Sequence, residues 1–128
     1  MIIVDTSALI DSLVGERRSA SRMRGFIEAA ERLALPTIVL YEWRRGPRQN
    51  QELAAQEALF PSEMSLPFGI EQAQVAASLY RSVARPRGRE LDLAIAAHAL
   101  SQDAELWSLN TEVFEDIPGL KTIPPGEA

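Results

Sequence analysis

The sequence contains no cysteine and a single histidine, His98. The first absence excludes disulfide scaffolds, thiolate zinc sites, iron–sulfur clusters and cysteine nucleophiles, and the second excludes a polyhistidine metal centre. Any metal chemistry must therefore rest on carboxylates, the donors that suit hard cations. No uninterrupted apolar run approaches the roughly 20 residues of a membrane span. The opening Met1-Ile2-Ile3-Val4-Asp5 has no basic n-region and meets an acid at its fifth residue, so no secretory leader is expected. The chain reads as soluble, intracellular and cytoplasmic. Bases are outnumbered as well: 13 against 18 acids give a formal charge of −5, which argues against a general nucleic-acid coat.

What is present fits one domain over residues 1–128, long enough to bury a core without staples, with 46% hydrophobic residues. The negative total hides an asymmetry. Residues 17–48 hold eight arginines and three glutamates, and residues 81–89 hold four arginines and no acid. Arginine's planar fork suits phosphate and carboxylate recognition, so these segments read either as a phosphate-binding surface or acidic partner's dock, or as solvated helix faces.

Met1 to Val4 is a short β-rich run, and Asp5-Thr6-Ser7 can cap a following helix. Ala20, Met23, Phe26, Ile27, Ala30 and Leu33 recur at spacings of three and four, which predicts a helix over 16–34 ended by Pro36. Thr37 to Leu40 is a second β-branched run, followed by a helical turn over 41–45 stopped by Gly46-Pro47. Helices are predicted over 49–60, 72–83 and 90–101, with a turn at 85–89 before the last. Ser65 to Pro67 reads as a minor strand, Leu106 to Leu109 as a strand and Thr111 to Glu115 as a single turn. Leu120 to Ile123 reads as a final strand before a Pro-Pro-Gly tail. Strands alternating with helices predict an α/β three-layer sandwich whose short-stranded sheet is mainly parallel and flanked by helices.

In such a sheet the ligand crevice lies outside the carboxyl ends of the strands. Asp5 follows the first strand, Glu42 lies just beyond the second, and Ser108 to Asn110 ends a later one. The plainer readings are a helix N-cap for Asp5 and an ordinary exposed acid for Glu42. Asp92 is the only acid in Leu91 to Leu100, a segment apolar almost all round, and it shares a helical face with Ile95, Ala96 and Ala99. A carboxylate there must be protonated, paired or bound to a cation; an i, i+3 pair with Arg89 is the structural alternative. His98 projects about 240° away and reads as a core or interface residue. Trp43 and Trp107 read as core residues, with Trp43 also placed to flank a crevice beside Glu42.

These motifs together resemble the PIN-domain nucleases, and within them the VapC-like toxins of toxin–antitoxin pairs. The features that carry the resemblance are Ile3-Val4-Asp5-Thr6-Ser7-Ala8-Leu9, the Glu42 helix ending at Gly46, the Arg89-x-x-Asp92-x-x-Ile95-Ala96-Ala97-His98-Ala99 block, and the Leu106 to Leu120 stretch with Asn110, Phe114 and Pro118-Gly119-Leu120. The resemblance implies Asp5, Glu42 and Asp92 as ligands of Mg²⁺ or Mn²⁺, Asn110 as a fourth catalytic position, and hydrolysis of an RNA phosphodiester. Thr6, Ser7 and Ser108 are then donors that fix the carboxylates, and Arg85, Arg87 and Arg89 either steer RNA or serve structure. It also implies a cognate antitoxin, and a homodimer or toxin–antitoxin hetero-oligomer, with exposed apolar surface on 16–33 or 49–60 to serve such contacts.

The chain departs from the family pattern at Val113, which stands where an acid usually precedes Phe114, and Asn110 adds no charge; Glu112 or Asp116 are the possible substitutes. The alternative reading is a catalytically degenerate PIN-like binding module with a weakened metal site. An aspartyl-phosphate phosphatase also opens with a strand and an Asp, but it wants a second Asp where Ser7 stands.

Overall fold

The computed structural model describes residues 1–124. Its sheet has four parallel strands in the order β2-β1-β3-β4, with β1 at Ile2–Val4, β2 at Leu33–Ala34, β3 at Glu105–Trp107 and β4 at Lys121–Thr122. Six helices flank it: α1 Thr6–Leu13, α2 Ala20–Glu28, α3 Thr37–Arg45, α4 Asn50–Leu59, α5 Ile70–Ser82 and α6 Glu90–Ser101. β1 reads as an unbroken apolar run because it is a central strand covered on both faces, and all three of its residues are buried. Short 3₁₀ segments span Ser62–Met64 and Thr111–Phe114. The expected parallel α/β sandwich is what forms, and α6 has the bounds its sequence predicts. Part of the Pro-Pro-Gly tail lies outside the described residues.

The second strand is not where β-branched residues suggest. Thr37 to Leu40 is the start of α3, not a strand, because Val39 and Trp43 stand four apart on one face and both are fully buried. Only the helical period brings both onto the core, and that burial outweighs local β preference. The second strand is instead Leu33–Ala34, inside the stretch predicted to be helical. α2 stops at Glu28 because Ala30 adopts a left-handed conformation with φ of 62°. The Ala30 N–H donates to the Ile27 carbonyl and the Glu31 N–H to the Phe26 carbonyl, a Schellman closure made with alanine where glycine is usual. The minor strand at 65–67 reduces to one bridge, Leu66 beside Pro36.

α6 runs through the interior, and seven consecutive residues from Leu93 to Ala99 are buried. The His98 ring is among them, tilted against Phe68 with centroids 5.9 Å apart, and neither ring nitrogen has a hydrogen-bond partner. Burial pulls its proton affinity below the ordinary imidazole range. The histidine is therefore a neutral core residue, as its position on the helix suggests.

Two outcomes follow from these contacts. Ala30→Gly removes the left-handed strain of an L side chain, a gain of about 1 kcal/mol, and raises the melting temperature; an unchanged or lower melting temperature contradicts the closure described. As pH falls below roughly 6.5, the unfolded chain takes up a proton at His98 that the folded state resists, so stability declines. His98→Leu should flatten the stability profile between neutral and mildly acidic pH, and an equally steep decline in that variant rules out His98 as its source.

Candidate active site

The site begins with strand register. Val4 of β1 lies abreast Trp107 of β3, so the next residues of the two strands, Asp5 and Ser108, emerge side by side at the carboxyl rim. Asp5 occupies the N-cap position of α1 but its side chain caps nothing. The Ser108 hydroxyl donates to Asp5 Oδ2 at 2.6 Å, and the Ser7 hydroxyl donates to the same oxygen at 2.8 Å. Each hydroxyl in turn accepts a backbone N–H, Ser7 from Leu109 at 2.9 Å and Ser108 from Asn110 at 3.0 Å. With their lone pairs so engaged, both hydroxyl protons are directed at Oδ2, which fixes the plane of a carboxylate only 5% exposed. Among the described residues Oδ1 has no hydrogen-bond partner.

Glu42 reaches this rim from α3, which packs against α1. The Thr6 hydroxyl, in the first turn of α1, donates to Glu42 Oε1 at 2.6 Å, and the Arg45 guanidinium lies 3.6 Å from Oε2. Glu42 is thus not the ordinary exposed acid of the plainer reading, since its side chain is 17% exposed.

Asp92 lies in the first turn of α6, half-buried. Its proton affinity is raised, first by burial and then by the negative charges of Asp5 and Glu42, with Arg89 opposing. Those charges act on Asp92 only because folding has gathered the three carboxylates. The structural alternative, an Arg89–Asp92 ion pair, does not form. Arg89 grips Asp116 with both arms, at 2.9 and 2.6 Å, and also donates to the Ala84 and Val113 carbonyls. The bidentate bond lowers the Asp116 carboxyl below its usual range and raises the Arg89 guanidinium. This ties the Thr111–Phe114 segment to the start of α6, and it commits Asp116 elsewhere as a substitute fourth acid. Asn110 is exposed, linked to the site through its backbone N–H to Ser108, and Glu112 is exposed on the following turn. The one partner that sequence reasoning missed is Arg45; its place three residues after Glu42 was the available signal.

The donor set fits a hard cation. Asp5, Glu42 and Asp92 all offer oxygen, only Glu42 has a cation within ion-pair distance, Arg45 at 3.6 Å, and Asp5 Oδ1 is free of protein donors. Among the described residues no three acidic or imidazole side chains are drawn close enough to enclose an ion by themselves. Away from this rim, a groove of about 740 Å³ runs between α1, α2 and α4, lined by Leu13, Met23, Ala55, the half-exposed Ile27 and Leu59, and the polar Arg24 and Glu52. It is the apolar surface expected on those helices. No helix among the described residues is long and apolar enough to cross a membrane.

Comparison with known proteins agrees with this geometry. The PIN domain family model matches residues 2–120. The chain is 33% identical to Ribonuclease VapC19 of Mycobacterium tuberculosis, over 98% of this chain and 99% of that protein. Its fold superposes on a toxin–antitoxin complex from Klebsiella pneumoniae with a TM-score of 0.75 at 25% identity, covering 100% of both chains. A DNA-bound VapBC from Salmonella typhimurium gives a TM-score of 0.75 at 21% identity, covering 95% of this chain and 96% of that one. With the family model spanning nearly the whole chain and a relative matched from end to end, the protein belongs to the PIN domain family, on its VapC-like branch.

Proposed function

We propose that the chain is a divalent-cation-dependent endoribonuclease, a VapC-type toxin that hydrolyses RNA phosphodiesters and is restrained by a cognate antitoxin. The observation that carries this reading is the carboxylate cluster: burial and the charges of Asp5 and Glu42 raise the proton affinity of Asp92, and Arg89, which opposes them, is gripped by Asp116. Neither Asp5 nor Asp92 has a cation within ion-pair distance among the described residues, which is costly for acids kept only for structure. The ribonuclease activity of the VapC19 relative supports the substrate class.

Asp5, through its free Oδ1, and Asp92 are the residues that would hold Mg²⁺ or Mn²⁺, with Glu42 completing the set. When bound, the cation supplies charge neutralisation at the phosphoryl oxygens and a more acidic water at neutral pH. The chain's own residues supply position. Ser7 and Ser108 hold the Asp5 carboxylate in one plane through hydroxyls that are themselves set by the Leu109 and Asn110 N–H groups. Thr6 fixes Glu42 Oε1, and Oε2, which has only the long Arg45 contact, would accept a proton from the attacking water. The Asn110 carboxamide, a neutral donor and acceptor on the same rim, would orient that water or the phosphate.

The groove between α1, α2 and α4 is where an antitoxin segment would dock. Its apolar floor and charged rim fit an amphipathic helix. The solved complexes of similar fold are toxin–antitoxin assemblies, which supports such a partner and an oligomer built with it.

Purified chain incubated with Mg²⁺ and single-stranded RNA should cleave it, and Asp5→Asn or Asp92→Asn should abolish cleavage while the circular dichroism spectrum is kept. Ser108→Ala, which frees Asp5 Oδ2 of its shorter bond, should cost about 10- to 100-fold in rate or metal affinity. Without metal, the folded state binds a proton at Asp92 more readily than the unfolded chain, so that contribution to stability is lost as pH rises through the raised value. At neutral pH Asp92→Asn should therefore melt higher than the parent in chelator, and Mg²⁺ should raise the melting temperature of the parent alone. Metal binding without RNA hydrolysis would identify the degenerate binding module instead.

A further inference from the structure

Next to Glu42 on α3 stands an aromatic ring that the site as described does not use. Tyr41 is 57% exposed, more than any other aromatic side chain among the described residues. Arg45, one helical turn on, holds its guanidinium 5.2 Å from the Tyr41 ring centroid. At about 100° per residue, Arg45 lies roughly 40° round the helix from Tyr41 and Glu42 roughly 100°, so ring, cation and carboxylate follow one another across a single face. The Arg45 contact to Glu42, at 3.6 Å, is longer than a charge-assisted bond of about 2.7–2.9 Å, and its side chain is half exposed. Most of its donors therefore face water.

A contrasting pair, Trp43 on α3 and Arg48 just past the Gly46 end of that helix, shows what a structural stack looks like. Arg48 lies 4.4 Å from the Trp43 ring centroid, but Trp43 is fully buried and the Arg48 Nε is spent on the Trp43 carbonyl. Tyr41 has no such burial. Its ring is already ordered by Arg45, so little entropy remains to be lost when a flat partner covers it. An ordered, solvent-facing ring beside an arginine is the combination that receives an unstacked base and its phosphate.

We propose that Tyr41 and Arg45 form a nucleotide subsite for single-stranded RNA, the ring stacking on a base beside the scissile phosphate and Arg45 taking that nucleotide's phosphate oxygen. The proposal rests on the ribonuclease reading of Asp5, Glu42 and Asp92. A base held within a duplex is covered on both faces, so the subsite selects single strands.

The test uses the full chain with Mg²⁺ and a fluorescein-labelled 12-nucleotide RNA of randomised sequence. Steady-state cleavage is measured for the parent, and binding is followed by anisotropy in the uncut Asp92→Asn background. Tyr41→Ala should raise KM and Kd by roughly 5- to 150-fold with kcat and melting temperature kept, and Tyr41→Phe should restore parental values. Arg45→Ala should lower the slope of log Kd against log salt by about 0.7, the loss of one phosphate contact on a single strand. Parental KM and Kd in Tyr41→Ala overturn the subsite while leaving the ribonuclease intact. The same holds for a loss that Tyr41→Phe does not reverse, or for equal affinity toward the duplex form of the RNA. If the parent neither binds nor cleaves RNA, the ribonuclease reading fails and this proposal falls with it.

Discussion

The pairing of β1 with β3 in one register governs everything chemical in this molecule. Val4 abreast Trp107 forces Asp5 and Ser108 to leave the sheet together, and the two serines can then converge on one carboxylate oxygen. A slip of one residue would send Asp5 to the opposite face and dissolve the network. Every residue of β1 is buried, so its pairing with β3 forms inside the core and sets Asp5 at the core's edge. The energy that specifies the site is thus the ordinary hydrophobic term of the core.

What the core imposes, the acids must tolerate. Asp5, Glu42 and Asp92 are brought to one rim although the first two burden Asp92, and the hydrogen bonds that orient Asp5 and Glu42 come from neutral hydroxyls on Ser7, Ser108 and Thr6. Hydroxyls orient a carboxylate without cancelling its charge. Arg45 makes one long contact with Glu42, while Arg89, the cation that acts on Asp92, is gripped by the Asp116 carboxylate. This arrangement leaves negative charge on Asp5 and Asp92, which the proposed function assigns to a divalent ion. The repelling charges are localised, and the arginines of α3 stand exposed beside them.

Much of this was legible in the sequence. The alternation of short strands with helices gave away the parallel sheet. Asp5 could be placed by its position after a strand, and Asp92 by its isolation in an apolar helix. Other features were hidden for definable reasons. The stop at Ala30 has no glycine or proline to announce it, because a left-handed alanine is stabilised by two backbone hydrogen bonds that no side chain encodes. Thr37 to Leu40 carries β-branched residues, and only the buried Val39 and Trp43, four apart, reveal a helix. The Arg89–Asp116 bond spans 27 residues and depends on how the 3₁₀ turn meets α6, so local spacing, which offered only Asp92 as an alternative partner, could not show it. Glu42 was found for a reason that was partly mistaken: it does not end a strand but lies more than one turn into a helix that α1 draws toward the rim.

The central claim is that three distant carboxylates share one field, and the most direct measurement is the titration of the Asp92 carboxyl carbon by NMR. In metal-free protein it should titrate above the ordinary aspartate range, move back down in Asp5→Asn and in Glu42→Gln, and fall in the parent when Mg²⁺ is added. An Asp92 that titrates normally in the parent, or that ignores both substitutions, contradicts the account.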